Sequence, residues 1–125
     1  MAKILIVDDS KFMRLTLKNL IEKNYNGVHT IVGEAGTAVE AVEKFLQLAP
    51  DLVTMDIIMP EESGLEAVKK IMAYNPKAKI IMVSAMGQEK IVEEAIALGA
   101  KSFVVKPVKT EDLLKTIEKV FGNQG

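Results

Sequence analysis

Five residues, Asp8, Asp9, Asp56, Ser84 and Lys106, are the polar terminators of otherwise apolar runs. The runs are ILIV before Asp8 and Asp9, LVTM before Asp56, IIMV before Ser84 and FVV before Lys106. A carboxylate placed where a buried strand should end calls for a chemical reason, because an unpaired charge in a desolvated place is unfavourable. Several such carboxylates gathered at one point repel one another; they protonate or weaken the fold unless a cation sits among them. With oxygen ligands only, and few of them, a hard divalent ion is the best match. Mg2+ suits such a set, since it keeps several waters and commonly joins one or two carboxylates to a phosphate. Phosphoryl chemistry is therefore the first expectation.

These residues lie far apart in the chain, so the elements around them must bring them together. The segment KILIV (3–7) is apolar without alternation, which suits a strand covered on both faces. From Lys11 to Lys23 the apolar residues Met13, Leu17, Leu20 and Ile21 repeat at helical spacing, with Asp9 or Ser10 placed to cap the first turn. The same strand-then-helix pair recurs at 28–35 with 37–48, 51–56 with 63–74, 79–85 with 88–98, and 101–106 with 110–121. Ala49-Pro50 and Asn75-Pro76 end helices before strands, Gly99 ends another, and Thr37, Ser63 and Thr110 stand at N-cap positions. Alternating strand and helix predicts right-handed crossovers and a parallel sheet covered on both faces, a three-layer α/β/α sandwich. Five such units are too few for a closed eight-stranded barrel, so the sheet should be open and doubly wound. In sheets of that kind ligands bind beyond the carboxyl ends of the strands, where the strand order reverses. All five polar terminators belong there.

The bulk properties bound the alternatives. At 125 residues and 13.7 kDa, a single domain spanning 1–125 is expected. A hydrophobic content of 49% with 26% charged residues excludes a disordered chain. There is no cysteine, which excludes disulfides and thiolate-held metals. No run approaches the ~18 apolar residues of a membrane span, so no membrane association and a cytoplasmic location are expected. The formal net charge is −1 and the 16 lysines and arginines are scattered, which gives nucleic-acid binding no support.

ILIVDDS (4–10), MDIIMPEESG (55–64), MVSAMG (82–87) and VVKP (104–107) together resemble the receiver domain of two-component response regulators, and among them the stand-alone, CheY-like chemotaxis type. The resemblance spans essentially the whole chain. It implies a flavodoxin-like, five-stranded parallel sheet of order 2-1-3-4-5. It implies that Asp56 is the phosphoacceptor, a carboxylate nucleophile that takes a phosphoryl group from a phosphohistidine on a sensor histidine kinase. Asp9, Asp56 and the backbone carbonyl of Ile58 would hold Mg2+, with Asp8 acting through metal-bound water. Lys106 would pair with one phosphoryl oxygen and the Ser84 hydroxyl with another, while Ala85 stays small to leave room. Ser84 and Phe103 would form the switch. The loop after the fourth strand is drawn inward, the aromatic ring fills the vacated space, and a face made by the fourth helix, fifth strand and fifth helix is remodelled for a partner. That partner is expected to be a flagellar motor switch or another downstream protein, and the chain is expected to be monomeric. The Lys106-Pro107 bond is expected to be cis. The resemblance also implies a self-phosphorylating and self-dephosphorylating switch, not a turnover enzyme.

Each residue has a plainer reading. Asp8 and Asp9 can cap a helix, Asp56 can precede a turn at Pro60, and Lys106 can be a solvated strand-end charge. Ser84 can satisfy a backbone group, Phe103 can be ordinary core, the methionines can be adaptable packing, and His29 is expected at the surface. Placement on four strand ends at once is what favours the functional reading. Thr37-Ala38 stands where many receivers carry Asn-Gly, and the segment between the first helix and second strand matches the family loosely. Ile58 and Met86 are apolar where the family flanks the path of the hydrolytic water, which predicts slow self-dephosphorylation. A competing role is a phosphorelay intermediate that passes its phosphoryl group to a histidine phosphotransferase. A haloacid-dehalogenase-type phosphohydrolase would need a second acid at position 58, which is isoleucine, and no GxxxxGK[ST] loop supports nucleotide binding.

Overall fold

In the computed structural model, which describes residues 2–122, five strands alternate with five helices. In chain order these are β1 (Ala2–Val7), α1 (Lys11–Tyr25), β2 (His29–Ala35), α2 (Ala38–Leu48), β3 (Leu52–Asp56), α3 (Gly64–Tyr74), β4 (Ile80–Ser84), α4 (Glu89–Leu98), β5 (Ser102–Val105) and α5 (Thr110–Gly122). All neighbouring strands pair in parallel, in the order β2-β1-β3-β4-β5, as the resemblance implied. Because β1 lies between β2 and β3, the order reverses there, and the crevice opens between the ends of β1 and β3.

The strands are apolar on both faces because both faces are covered. Leu5, Val7, Val53, Met55, Ile80 and Met82 pack into one core with α2, α3 and α4 residues such as Ala41, Phe45, Val68, Ile71 and Ala95. Ile4, Ile6, Leu52, Ile81 and Val83 pack into the other with Leu17 and Ile21 of α1 and Leu113 and Ile117 of α5. A period of two along each strand thus divides one apolar run between two cores.

The helix starts differ in how they are capped. The Ser10 hydroxyl accepts from the Met13 amide at 3.2 Å and the Thr37 hydroxyl from the Glu40 amide at 3.1 Å, so Ser10 and not Asp9 caps α1. Ser63 occupies the N-cap position of α3 but makes no side-chain cap bond, and Thr110 is the first residue inside α5. α1 runs two residues past Lys23, to Tyr25. His29 is not the simple surface residue expected. Its ring lies 4.3 Å from Tyr25 and 5.7 Å from Phe121 between centroids, and burial among these rings holds its pKa below the usual value.

Thr54 is the one polar side chain in the middle of a central strand. It is fully buried between Ile6 and Ile81, and its hydroxyl has no hydrogen-bond partner among the described residues. A buried hydroxyl without a partner loses its water at no return. Thr54→Val is therefore expected to stabilise the protein by about 1 kcal/mol, read as a higher thermal midpoint. A lower midpoint would show that the hydroxyl is satisfied after all.

Candidate functional site

The five polar terminators lie on the carboxyl edge of the sheet, and four of them converge. Asp8 follows β1 directly, Asp56 and Ser84 are the last residues of β3 and β4, and Lys106 follows β5. Carboxylate oxygens of Asp8, Asp9 and Asp56 lie within 4.8 Å of one another. Asp8 and Asp56 are buried, at 1% and 6% exposure, while Asp9 is open to solvent. From the end of β5 the Lys106 ammonium reaches past β4 to Oδ1 of Asp56, two strands away, and to Oδ2 of Asp8, three strands away, both at 3.3 Å. The Lys106-Pro107 peptide is cis.

One lysine against three acids leaves the pocket short of positive charge. Burial first, then repulsion from Asp8, raises the pKa of Asp56 to about 6, although Lys106 pulls the other way. For Lys106, burial lowers the pKa but attraction to Asp56 and Asp8 prevails and raises it. Oδ1 of Asp8 accepts from the Ser10 amide at 2.8 Å, whereas the buried Oδ2 receives no hydrogen bond, Lys106 standing near it without donor geometry. A buried carboxylate oxygen without a donor, inside an all-oxygen cluster, fits a hard divalent cation such as Mg2+. The residues present therefore suit that ion.

The loop after β3 holds Asp56 by close packing. The Gly64 amide donates to the Ile57 carbonyl at 2.6 Å, and a Cβ on Gly64 would overlap the Asp56 carbonyl oxygen. Glu61, at φ 73°, takes a left-handed conformation that turns this loop back to α3. Ile58 projects into solvent with 63% of its surface exposed, and Met86 with 82%, so Met86 is no packing residue. Met55, Met59 and Met82 are buried, as packing methionines should be.

Ser84 and Phe103 make no hydrogen bond to the acids among the described residues. The buried Ser84 hydroxyl donates to the Val104 carbonyl at 3.4 Å. Phe103 is 45% exposed, which overturns its reading as ordinary core. Between Phe103 and the loop after β4 lies an open apolar cavity of about 500 Å3, lined by Ser84, Ala85, Met86, Val92, Phe103 and Val105 among others.

Two residues of this region, Arg14 and Gln88, carry no motif that singles them out. Arg14 donates to the Asp8 carbonyl at 2.7 Å and to Glu34 at 3.0 Å. Gln88 accepts from the Ala85 amide at 2.6 Å and so ties the loop after Ser84 to the start of α4. Gln88 precedes a helix, which is a signal for capping, but its side chain reaches back into the loop instead.

Comparison with known proteins agrees with this geometry. The family model for the response regulator receiver domain matches residues 4–118. The chemotaxis protein CheY of Thermotoga maritima is 50% identical over 118 residues, covering 94% of this chain and 96% of that protein. Protein CcdB of Bacillus subtilis is 45% identical over 124 residues, covering 98% and 100%. The crystal structure of a CheX–CheY–BeF3–Mg2+ complex from Borrelia burgdorferi matches with a TM-score of 0.89 at 35% identity, covering 95% of this chain and 88% of that one. No described helix is long and apolar enough to cross a membrane. With its acids at the reversal of strand order and this match along nearly its whole length, the chain belongs to the family of response regulator receiver domains, the signal-accepting modules of two-component systems.

Proposed function

We propose that this protein accepts a phosphoryl group on Asp56 from a phosphohistidine of a chemotaxis-type sensor kinase and thereby changes the surface it offers to a partner. The observation that carries this reading is Asp56 itself. It is an almost fully buried carboxylate at a strand end, with Lys106 at 3.3 Å and two further acids alongside. A carboxylate oxygen of Asp56 attacks phosphorus in line, the P–N bond to the donor imidazole breaks, and the imidazole leaves with the electron pair. Lys106 is positioned to pair with a phosphoryl oxygen once it gives up its bond to Asp56. Asp9, Asp56 and the Ile58 carbonyl would hold Mg2+ and Asp8 would act through its water. When bound, that ion would offset charge on the transferring group.

Ser84 then exchanges its long bond to Val104 for a phosphoryl oxygen, and the loop from Ala85 follows it inward. Phe103 has somewhere to go, since the cavity beside it is large enough for its ring. The remodelled face is that of α4, β5 and α5, where a downstream partner docks. Chemotaxis is supported by the CheY relative at 50% identity, with a flagellar motor switch as the corresponding target. Such a protein would act as a monomer in the cytoplasm and as a switch, not a turnover enzyme.

The direct test is incubation with acetyl phosphate and Mg2+, followed by intact mass. Wild type should gain one phosphoryl group and Asp56→Asn none. Labelling that survives the substitution would move the acceptor elsewhere. Exposed Ile58 and Met86 cannot orient an attacking water, so the phosphoryl group should be long-lived and Ile58→Asn should shorten its lifetime several-fold. An equal or longer lifetime in that variant would discard the explanation.

A further inference from the structure

We propose that Arg14 is the positioning residue of the acidic pocket: its guanidinium fixes the loop between β1 and α1 by the Asp8 carbonyl and so sets how firmly the pocket holds a divalent cation. The inference rests on the metal reading given above and assigns a role to a side chain outside the cluster of acids.

Three carboxylates within 4.8 Å push the Asp8–Asp9 loop away from Asp56, and something must hold it in place. The Asp8 amide is tied to the Ala35 carbonyl at 3.0 Å, but Asp8 lies beyond the end of β1, where ladder pairing stops. Its carbonyl is taken up by Arg14 Nη1 at 2.7 Å, while Nε of the same guanidinium donates to Glu34 Oε1 at 3.0 Å. Arg14 is itself largely covered, with 19% of its side chain exposed. Glu34 sits in β2 opposite Ile6 of β1, and its carbonyl accepts from Lys44 of α2 at 2.6 Å. The fork therefore ties the acid-bearing loop to a paired strand and through it to a helix.

The placement of the charge is informative. Arg14 contacts a backbone oxygen and gives its charge to Glu34, so it touches none of the three carboxylates. A cation placed merely to neutralise the pocket would compete with a metal ion. Arg14 does the opposite: it occupies none of the pocket's carboxylate oxygens, and the cation near Oδ2 of Asp8 is Lys106, at 3.3 Å. The two roles predict opposite signs. By charge alone, removing Arg14 should tighten cation binding. By positioning, removal should weaken it, in the manner of residues that orient metal ligands from outside the coordination shell.

The test is an NMR titration of folded protein with MgCl2 at constant ionic strength, for wild type, Arg14→Ala, Arg14→Lys and Glu34→Gln, with amide hydrogen exchange measured on the metal-free proteins. Arg14→Ala should weaken Mg2+ binding about tenfold and speed exchange of the Ser10 amide, which is bonded to Asp8 Oδ1. Arg14→Lys, which keeps the charge but not the fork, should recover only part of the affinity, and Glu34→Gln should lose less than Arg14→Ala. A dissociation constant that stays the same or tightens in Arg14→Ala while the melting temperature falls would overturn the proposal. Wild type that does not titrate overturns the metal reading on which it rests, and unaltered exchange at Ser10 overturns the clamp.

Discussion

Asp56→Asn is expected to raise the thermal stability of the metal-free protein at pH 7 while abolishing phosphorylation. In the folded chain the Asp56 pKa is raised to about 6 from 3.8, chiefly by burial and then by Asp8. A group with a raised folded-state pKa binds its proton more tightly in the folded state than in the unfolded one. Its contribution to stability is complete below about pH 4 and is lost as pH rises through about 6, so at pH 7 the ionised carboxylate opposes folding. Asparagine keeps the shape and removes the charge, and Lys106 retains Asp8 as its partner at 3.3 Å. A shift of this size converts to at most about 3 kcal/mol, and water at the mouth of the pocket reduces it to roughly 1–2 kcal/mol. The difference between variant and wild type should vanish near pH 4 and grow to its full size by pH 7 in thermal melts. Added Mg2+ should reverse the ranking, because an ion that binds only the folded wild type stabilises it by mass action. A variant that melts lower than wild type at pH 7 without metal would show that Lys106 already compensates the acids.

Gly64→Ala is expected to be the most damaging small substitution in the chain, costing about 3 kcal/mol. The reason is contact and not backbone freedom: a Cβ at Gly64 meets the carbonyl oxygen of Asp56 and lies 3.2 Å from the Ile57 Cα, and backbone atoms cannot step aside as a side-chain end can. Either α3 retreats and breaks the 2.6 Å bond from the Gly64 amide to Ile57, or the end of β3 shifts and carries the Asp56 carboxylate with it. Gly87 is the control. It has φ 88° and nothing near its Cβ position, so alanine there should cost about 1 kcal/mol through backbone strain alone. Denaturant melts of the two variants should separate clearly, and Gly64→Ala should also weaken Mg2+ binding. Equal losses at the two glycines would show that the start of α3 can yield.

Much of this architecture was legible in the chain itself. Apolar runs without alternation marked strands covered on both faces, and the period-3.6 segments between them marked helices, because burial on two sides and on one side leave different patterns. The polar residue closing four of the five runs marked the carboxyl edge of the sheet, since parallel strands bring these ends together. Where the pattern failed, a side chain had more than one use. Ser63 stands where a cap belongs but makes no cap bond, Gln88 precedes α4 but binds Ala85, and His29 is half-buried against Tyr25 and Phe121, which come together only when α1 and α5 pack side by side. Phe103 was balanced between core and switch, and only the packed edge of β5 leaves its ring half outside.

By itself, then, the sequence determined which residues are polar where burial would forbid it, and hence that Asp8, Asp9, Asp56, Ser84 and Lys106 belong at one edge of a parallel sheet. Tertiary structure alone decided which of them touch: Lys106 spans β4 to reach Asp8 and Asp56, while Ser84 turns instead to Val104. It also decided that Arg14 holds a backbone carbonyl and leaves the acids free. The physical reason is that strand patterning records burial, a one-body property of each residue, whereas contacts between residues 50 or 98 positions apart depend on strand order and on the reach of side chains across it.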